Sequence, residues 1–342
     1  NQHFLDECLG SIYANTPGIS FEVFVIDNAS SDGSSEMVLQ KYPQVILRRN
    51  NFVKGFAANH NQTISSGKGR YVLILNEDTS VLHGTLDKMV EFMDSHPEAG
   101  AIGPKKLNTN GSIQPDRGKP YNLLMFVADQ LYLHRLLGWN KFSVGQIKQQ
   151  KAAEVEMVSG CCLLIRRNII EEIGLLDETF FLYCEDDDYC LRIRKRGYKI
   201  YYLPQAEIIH HWGRTTSQMK DILRIKEMKS EIHYFRKHYG KWSLAIIKSL
   251  FFIRQLVVIC KLILLLFLKK PQALKKIQLN WQLLLLSLEG LNLYRPIRKI
   301  TVLIFSLPFL PLFLWRKICK RKIAPFHNIL VIKMCALGDL LL

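Results

Sequence analysis

Over residues 1–212 short apolar runs alternate with stretches of helical period, and acids or glycines punctuate the joins. Such alternation predicts an α/β sheet. Residues 21–26 read as a buried parallel strand ending at Asp27, and Ser31, Asp32, Gly33 and Ser34 supply the turn and N-cap of a helix through Tyr42. Residues 45–47 are a second strand, 56–66 a helix, and 71–75 a third strand running into Asn76, Glu77 and Asp78. A helix is expected over 84–95, a short strand at 101–103, and a hairpin turn at Asn110-Gly111. Residues 155–166 are strand-like, 167–173 helical, and 185–196 a helix opened by acids. Residues 198–203 and 207–211 read as short strands, whereas 121–150 show no clear period.

Beyond Gly213 the pattern changes. Residues 217–239 predict a polar, basic helix, and 244–268 a mostly apolar one that contains Lys248, Arg254 and Lys261. Arg254 and Lys261 are one heptad apart on one face, which suits a helix lying in the plane of a membrane interface. Residues 300–315 are the most apolar stretch, yet they number 16 and contain Pro308 and Pro311. A span needs about 20 apolar residues, so a re-entrant or interfacial segment is expected there. Buried core helices of a second globular domain are the other reading of this pattern.

Charge divides the chain at the same place. The 46 Lys+Arg and 30 Asp+Glu give a net +16, but residues 213–342 alone hold 24 basic and 5 acidic residues, a net +19. The first 212 residues carry a net −3. A 48% hydrophobic content excludes disorder as the main state. Long aliphatic runs between the tail's charges favour an anionic membrane surface over nucleic acid as the partner. Eight cysteines with no C-x-x-C pair fit reduced thiols in a cytoplasmic protein better than a disulfide framework or a zinc site. The chain opens on Asn1 and closes on Leu340-Leu341-Leu342, and reads as a fragment at both ends.

In open α/β sheets ligands bind beyond the carboxyl ends of the strands. Three polar clusters fall there: Asp27 to Asp32, Asn76-Glu77-Asp78, and Glu185-Asp186-Asp187-Asp188. Each alone reads equally well as turn formers and helix caps. Together, carboxylates converging on one crevice repel and require a cation, which points to Mg²⁺ or Mn²⁺ with a phosphorylated substrate. The first 212 residues carry no P-loop and no G-x-G-x-x-G, which argues against a kinase or a dehydrogenase.

These clusters lie in longer runs: residues 25–34, Lys54 to Asn61, Leu75 to Thr79, Phe180 to Asp188, and Ile209 to Thr215. With Gly111-Ser112-Ile113-Gln114, Arg117 and Pro120, their order and spacing resemble the rhamnosyltransferase-like members of glycosyltransferase family 2 over residues 1–240. The resemblance implies a GT-A-type fold, a mostly parallel sheet flanked by helices. It implies a membrane-associating helical region over 241–326. It also implies that Asp27, Asp32, Asn61, Asn76 and Asp78 bind the nucleotide sugar, with Asp27 on the base. Asp78 and His210 would hold the metal, and Asp186 would be the general base of an inverting displacement. Asp187 and Asp188 read as first-turn acids favoured by the helix dipole, while His60 and His211 carry no role. The family's first strand is expected before Asn1.

The activity implied is sugar transfer from a nucleoside diphosphate donor, dTDP-rhamnose or a UDP-hexose, to a lipid-linked or polysaccharide acceptor. The place implied is the cytoplasmic face of the cell membrane, with peripheral or monotopic attachment. A nucleotidyltransferase, or a membrane scaffold with a degenerate transferase domain, are the alternatives. Residues 327–340 resemble the opening strand and loop of the heptosyltransferase-like family 9, which would make 327–342 the start of a second transferase.

Overall fold

The computed structural model describes residues 1–115, 118–120, 122–131, 151–211, 220–267 and 273–289. The apolar stretch expected at 300–315, the family 9-like end, Arg117 and residues 212–215 lie outside them. In chain order the elements are α1 (Gln2–Asn15), β1 (Phe24–Asp27), α2 (Ser34–Lys41), β2 (Ile46–Arg49), α3 (Phe56–Ile64), β3 (Tyr71–Leu75) and β4 (Thr79–Val81). Then come α4 (Thr85–Ser95), β5 (Ala99–Leu107), α5 (Leu123–Gln130), β6 (Ala153–Val155), β7 (Cys162–Arg166) and α6 (Arg167–Ile173). The last described elements are α7 (Glu185–Lys195), β8 (Lys199–His210), α8 (Lys220–Phe267) and α9 (Ala273–Leu288).

The main sheet runs β3-β7-β5-β8-β4, and β6 also pairs with β8. β1 and β2 form a separate parallel pair, with Phe24 opposite Ile46 and Asp27 opposite Arg49. Parallel pairing is confined to β1–β2 and β5–β8, and the remaining pairs are antiparallel, so the sheet is mixed where a mostly parallel one was expected. β7 runs antiparallel to both β3 and β5, and β8 is parallel to β5 but antiparallel to β4 and β6.

Alternation along the strands fills two cores. Leu163, Ile165, Ala101 and Ile200 pack with Ile64, Ile169, Tyr189 and Ile193 on the face covered by α3, α6 and α7. Cys162, Leu164, Ile102 and Ile208 pack with Cys8, Ile12, Met89 and Met93 on the face covered by α1 and α4. Successive side chains of a strand point to opposite faces, so β7 feeds both cores from five residues.

Several elements differ from their expected bounds. β1 is shorter than 21–26, because the Glu22 carboxylate turns away to accept the amides of Lys68 and Gly69. β5 has nine residues rather than three, since β8 pairs along its whole length. The two short strands expected at 198–203 and 207–211 are one strand: a bulge absorbs Pro204, Gln205 and Ala206, so that Leu203 faces Pro104 and Glu207 faces Lys105. Residues 155–166 break into β6 and β7, because the chain turns at Ser159-Gly160-Cys161. The turn at Asn110-Gly111 is present, with Gly111 at φ 77° and Leu107 bridged to Ile113. α1, α5 and α9 are helices where the pattern had suggested none.

The helices expected at 217–239 and 244–268 are two arms of α8, joined at Gly240, whose φ of 77° and ψ of −177° lie outside the helical range. The first arm packs Met228, Tyr234 and Phe235, and the second Ile247 and Phe251, with Phe126, Phe180, Leu283 and Leu286. Residues 1–287 accordingly cluster as one compact unit. By length and composition Leu223–Leu265 would suffice to cross a membrane.

Gly55 tests how tightly the base of this fold is closed. A Cβ there would lie 2.7 Å from the Phe181 carbonyl oxygen and 2.8 Å from its Cα. That carbonyl also accepts the Phe56 amide at 2.8 Å, so the backbone cannot withdraw without losing a hydrogen bond. Gly55→Ala is expected to destabilise the chain by about 1–3 kcal/mol, measured by denaturant unfolding of the two proteins.

Candidate active site

The first strand pair ends in a set of oriented amides and acids. Asp27 closes β1 and accepts the Ser30 amide at 2.7 Å and the Ser35 hydroxyl. Burial raises its pKa, but the Ser35 and Ser30 hydrogen bonds and the Arg49 charge outweigh that, and the net shift is downward. Asp32 accepts the amide and hydroxyl of Ser34, at 3.1 and 2.5 Å, and so opens α2, while its other oxygen faces the first residue's amino group. Asn28 exchanges two hydrogen bonds with the Lys54 backbone, at 3.0 and 2.8 Å, and Asn50 links Asn28 to Asn59. Asn61, by contrast, spends its amide elsewhere. Its oxygen accepts the Leu176 amide at 3.1 Å, and its nitrogen donates to the Leu176 carbonyl at 2.9 Å and to Glu178 at 3.0 Å.

The second cluster forms where β4 pairs with the end of β8. Thr79 is opposite His210, so the preceding Asp78 and the His210 imidazole meet, with Oδ1 and Nε2 3.4 Å apart. Both side chains are 8% exposed. Gln114 fixes the ring. Its Nε2 donates to the His210 carbonyl and to Asn108, each at 3.2 Å, which turns Oε1 toward His210 Nδ1 at 2.7 Å. An amide oxygen only accepts, so His210 Nδ1 donates to it, and Nε2 is the nitrogen turned toward Asp78.

An imidazole whose outer nitrogen is held by a polar side chain is the usual form of a metal ligand. The pair fits a divalent cation, which Asp78 and a neutral His210 would hold. Among the described residues no group of three or more His, Cys, Asp or Glu side chains gathers for a metal. The remaining ligands would have to come from phosphate and water, as is usual for Mg²⁺.

Asp186 stands in the first turn of α7, and its Oδ2 accepts the Gly160 amide at 3.0 Å while Oδ1 accepts the Asp187 amide at 2.9 Å. Its helix opens from an unusual elbow, in which Tyr183 and Cys184 have φ of 69° and 66°. Two successive side-chain-bearing residues in the left-handed region cost energy that the surroundings must hold in place. The turn that meets Asp186 also meets the second cluster, because the Cys161 carbonyl accepts the Asn76 amide at 2.9 Å. Adjacent residues, Gly160 and Cys161, thus tie Asp186 and the Asn76–Asp78 turn to one point. Phe56 completes the floor: its ring and Asp186 Cβ both border Gly160. His60 packs on Phe56 with ring centroids 4.3 Å apart, and burial pushes its pKa down to about 4.

A mixed sheet flanked by helices, with Asp27 and the Asp78–His210 pair at strand ends and Asp186 at a helix start, is the arrangement of GT-A-type glycosyltransferases. The chain belongs to glycosyl transferase family 2, whose model matches residues 1–174. It is 28% identical over 239 residues to the N-acetylglucosaminyl-diphospho-decaprenol L-rhamnosyltransferase of Mycobacterium tuberculosis, covering 64% of this chain and 76% of that one. With the rhamnosyltransferase WbbL of Escherichia coli it shares 25% identity over 167 residues, 46% of this chain and 61% of that one. Among solved structures, a mannosyltransferase from Pyrobaculum calidifontis, in complex with GDP-Man and Mn²⁺, has a TM-score of 0.48 at 16% identity, covering 93% of this chain and 80% of that one.

Sequence reasoning named Gln114 without a use for it, and missed the Gly160-Cys161 turn altogether. Asp188 is a first-turn acid of α7, as expected, and also an anchor for the following helix. Asp188 is 0% exposed and accepts Arg192 at 2.9 Å and both Lys237 and His238 at 2.7 Å. Asp177 accepts the same Lys237 at 2.7 Å and His233 at 3.0 Å. Burial raises the Asp188 pKa, yet the His238, Lys237 and Arg192 interactions outweigh it, so the folded value is depressed. The stabilisation is complete above the ordinary carboxylate value of 3.8 and is lost as pH falls through the lower folded value. Asp188→Ala removes the buried carboxylate that Arg192, His238 and Lys237 share, leaving Lys237 only Asp177, and is expected to cost about 3 kcal/mol at neutral pH. Chemical unfolding at pH 7 and pH 3 checks this, and the difference between the proteins should shrink at the lower pH.

Proposed function

We propose that this chain is an inverting, divalent-metal-dependent glycosyltransferase. It moves a sugar from a nucleoside diphosphate donor to a lipid-linked or polysaccharide acceptor at the cytoplasmic face of a membrane. The observation that carries the reading is the Gly160-Cys161 turn, which ties Asp186 and the Asn76–Asp78 turn together and so supports one crevice for both. Asp27 would accept a hydrogen bond from the donor's base, since two of its lone-pair sites stay open after Ser30 and Ser35 bind. Asp32 and Asn76 would line the same donor side, with Asn61 acting through the backbone at 176–178 that it holds. Asp78 and His210 would hold Mg²⁺ or Mn²⁺, which when bound neutralises the charge of the departing diphosphate.

Asp186, held by two amides, is the group that would take the proton from an acceptor hydroxyl. The acceptor oxygen then bonds to the anomeric carbon as the bond to the diphosphate breaks, and the product is the inverted glycoside. With a single base and no second carboxylate as nucleophile, one displacement suffices. Rhamnosyltransferase names among the relatives favour dTDP-rhamnose, with UDP-hexoses next. A donor screen by nucleoside diphosphate release, with proton NMR of the product's anomeric configuration, tests this. Asp186→Asn should lower kcat by about 10²–10⁴-fold with nucleotide binding intact, and chelation should abolish transfer until Mn²⁺ or Mg²⁺ returns. Retention of configuration, or full activity of Asp186→Asn, would overturn the reading.

Attachment to the membrane would use the second arm of α8. Ile247, Phe251, Gln255, Ile259 and Leu262 recur at helical spacing and are buried against the protein. The opposite face exposes Trp242 at 77%, Ile253 at 56%, Val257 at 63% and Leu264 at 62%. A helix held by protein on one side and apolar on the other suits lying on a bilayer rather than crossing it, with the exposed Lys241 and Lys261 reaching anionic headgroups. In flotation assays the chain should bind anionic vesicles more than neutral ones, and less as salt rises. Replacing Trp242, Ile253 and Val257 with Ser should abolish flotation.

A further inference from the structure

Before its kink, α8 runs along the elbow that presents Asp186. Ser230 Oγ donates to the Leu182 carbonyl at 2.9 Å, and the Lys226 ammonium lies over the Phe181 ring, 4.1 Å from its centroid. Lys226 is half-buried, and Lys229 follows one turn later on the same helix. The neighbouring Arg224 is neutralised by Glu227 at 2.7 Å. Among the described residues no carboxylate pairs with Lys226 or Lys229 within ion-pair distance. Burial and the nearby Lys229 charge lower the Lys226 pKa. Lys226, half-buried, and Lys229, exposed, thus stand one turn apart beside the segment that would present the base, with no ion-paired carboxylate among the described residues.

We propose that Lys226 and Lys229 bind the diphosphate of an acceptor whose sugar is joined to a lipid through a diphosphate. This deepens the transferase reading and rests on it. In a sugar 1-diphosphate the attacking hydroxyl and the phosphates share one ring. A hydroxyl at Asp186 therefore leaves the diphosphate only a ring's width from it, and the helix that bears the lysines rests on the segment just before Asp186, at Phe181 and Leu182. The lipid has a path as well: Lys226 stands 14 residues before the kink at Gly240, and just beyond it, at Trp242, the exposed apolar stripe begins. The donor's diphosphate belongs at Asp78 and His210, and bulk headgroups at the stripe, so neither accounts for cations at the elbow. A polysaccharide acceptor, without phosphate, would have no use for them.

The test is binding of farnesyl diphosphate to the full chain in neutral detergent, without metal or donor, against farnesol. The diphosphate should bind tighter by roughly tenfold or more. Lys226→Met with Lys229→Met should remove that preference, and Lys→Arg at both positions should keep it. In transfer assays the Met variant should raise KM roughly tenfold for N-acetylglucosaminyl diphospho-farnesol, and leave donor KM and use of octyl N-acetylglucosaminide unchanged. Equal binding of farnesol and its diphosphate by the natural chain would overturn the proposal. So would equal losses on both acceptors, or displacement of farnesyl diphosphate by phosphatidylglycerol at matching concentration. A chain that prefers the diphosphate but transfers no sugar would sink the transferase reading and leave this site standing.

Discussion

Acids that work together must be held together against their own repulsion, and here two neighbouring peptide groups do the holding. The Gly160 amide fixes Asp186 and the Cys161 carbonyl fixes Asn76, two residues before Asp78. The turn is rigid because it leads directly into β7, whose side chains are shared by both cores. Loop residues with catalytic work are usually placed by the scaffold beneath them. In this chain a five-residue strand is that scaffold.

Around this point, polar side chains mostly orient other polar groups. Gln114 orients the His210 ring, and Asn28 pins the backbone at Lys54. Asp188 and Asp177 serve a different end. They gather Lys237, His233 and His238 from α8 and make a helix with an apolar far side part of the protein's body. The strained Tyr183–Cys184 elbow lies between those two anchors, and Ser230 and Lys226 rest on it from α8. Movement of that helix would be felt first at the elbow.

Much of the α/β architecture was legible because apolar runs of strand length ended at acids or glycines, as at Ile26-Asp27 and Leu75-Asn76. Strand direction was not legible. A buried strand such as β7 has the same continuous apolar pattern whether its neighbours run with it or against it. Splitting β8 in two was a misreading of Pro204, which breaks the pattern without breaking the strand, since a bulge takes it up. Of the candidate site, the acids and His210 stood out by residue type and position. Gly160 did not, because its contribution is a backbone amide, and nothing in its side chain announces one. The anchoring role of Asp188 was hidden for the opposite reason: four acids in a row at a helix start satisfy the dipole rule locally, while its partners on α8 lie about 50 residues later.

The bulge at Pro204, Gln205 and Ala206 lies between the part of β8 that builds the core and the part that delivers His210. Leu203 and Glu207 are four residues apart on β8, yet they pair with the adjacent Pro104 and Lys105. The bulge thus uncouples the two parts of the strand, and the side to which His210 turns is set by its pairing with β4 and β5 rather than by its distance along the chain from the core.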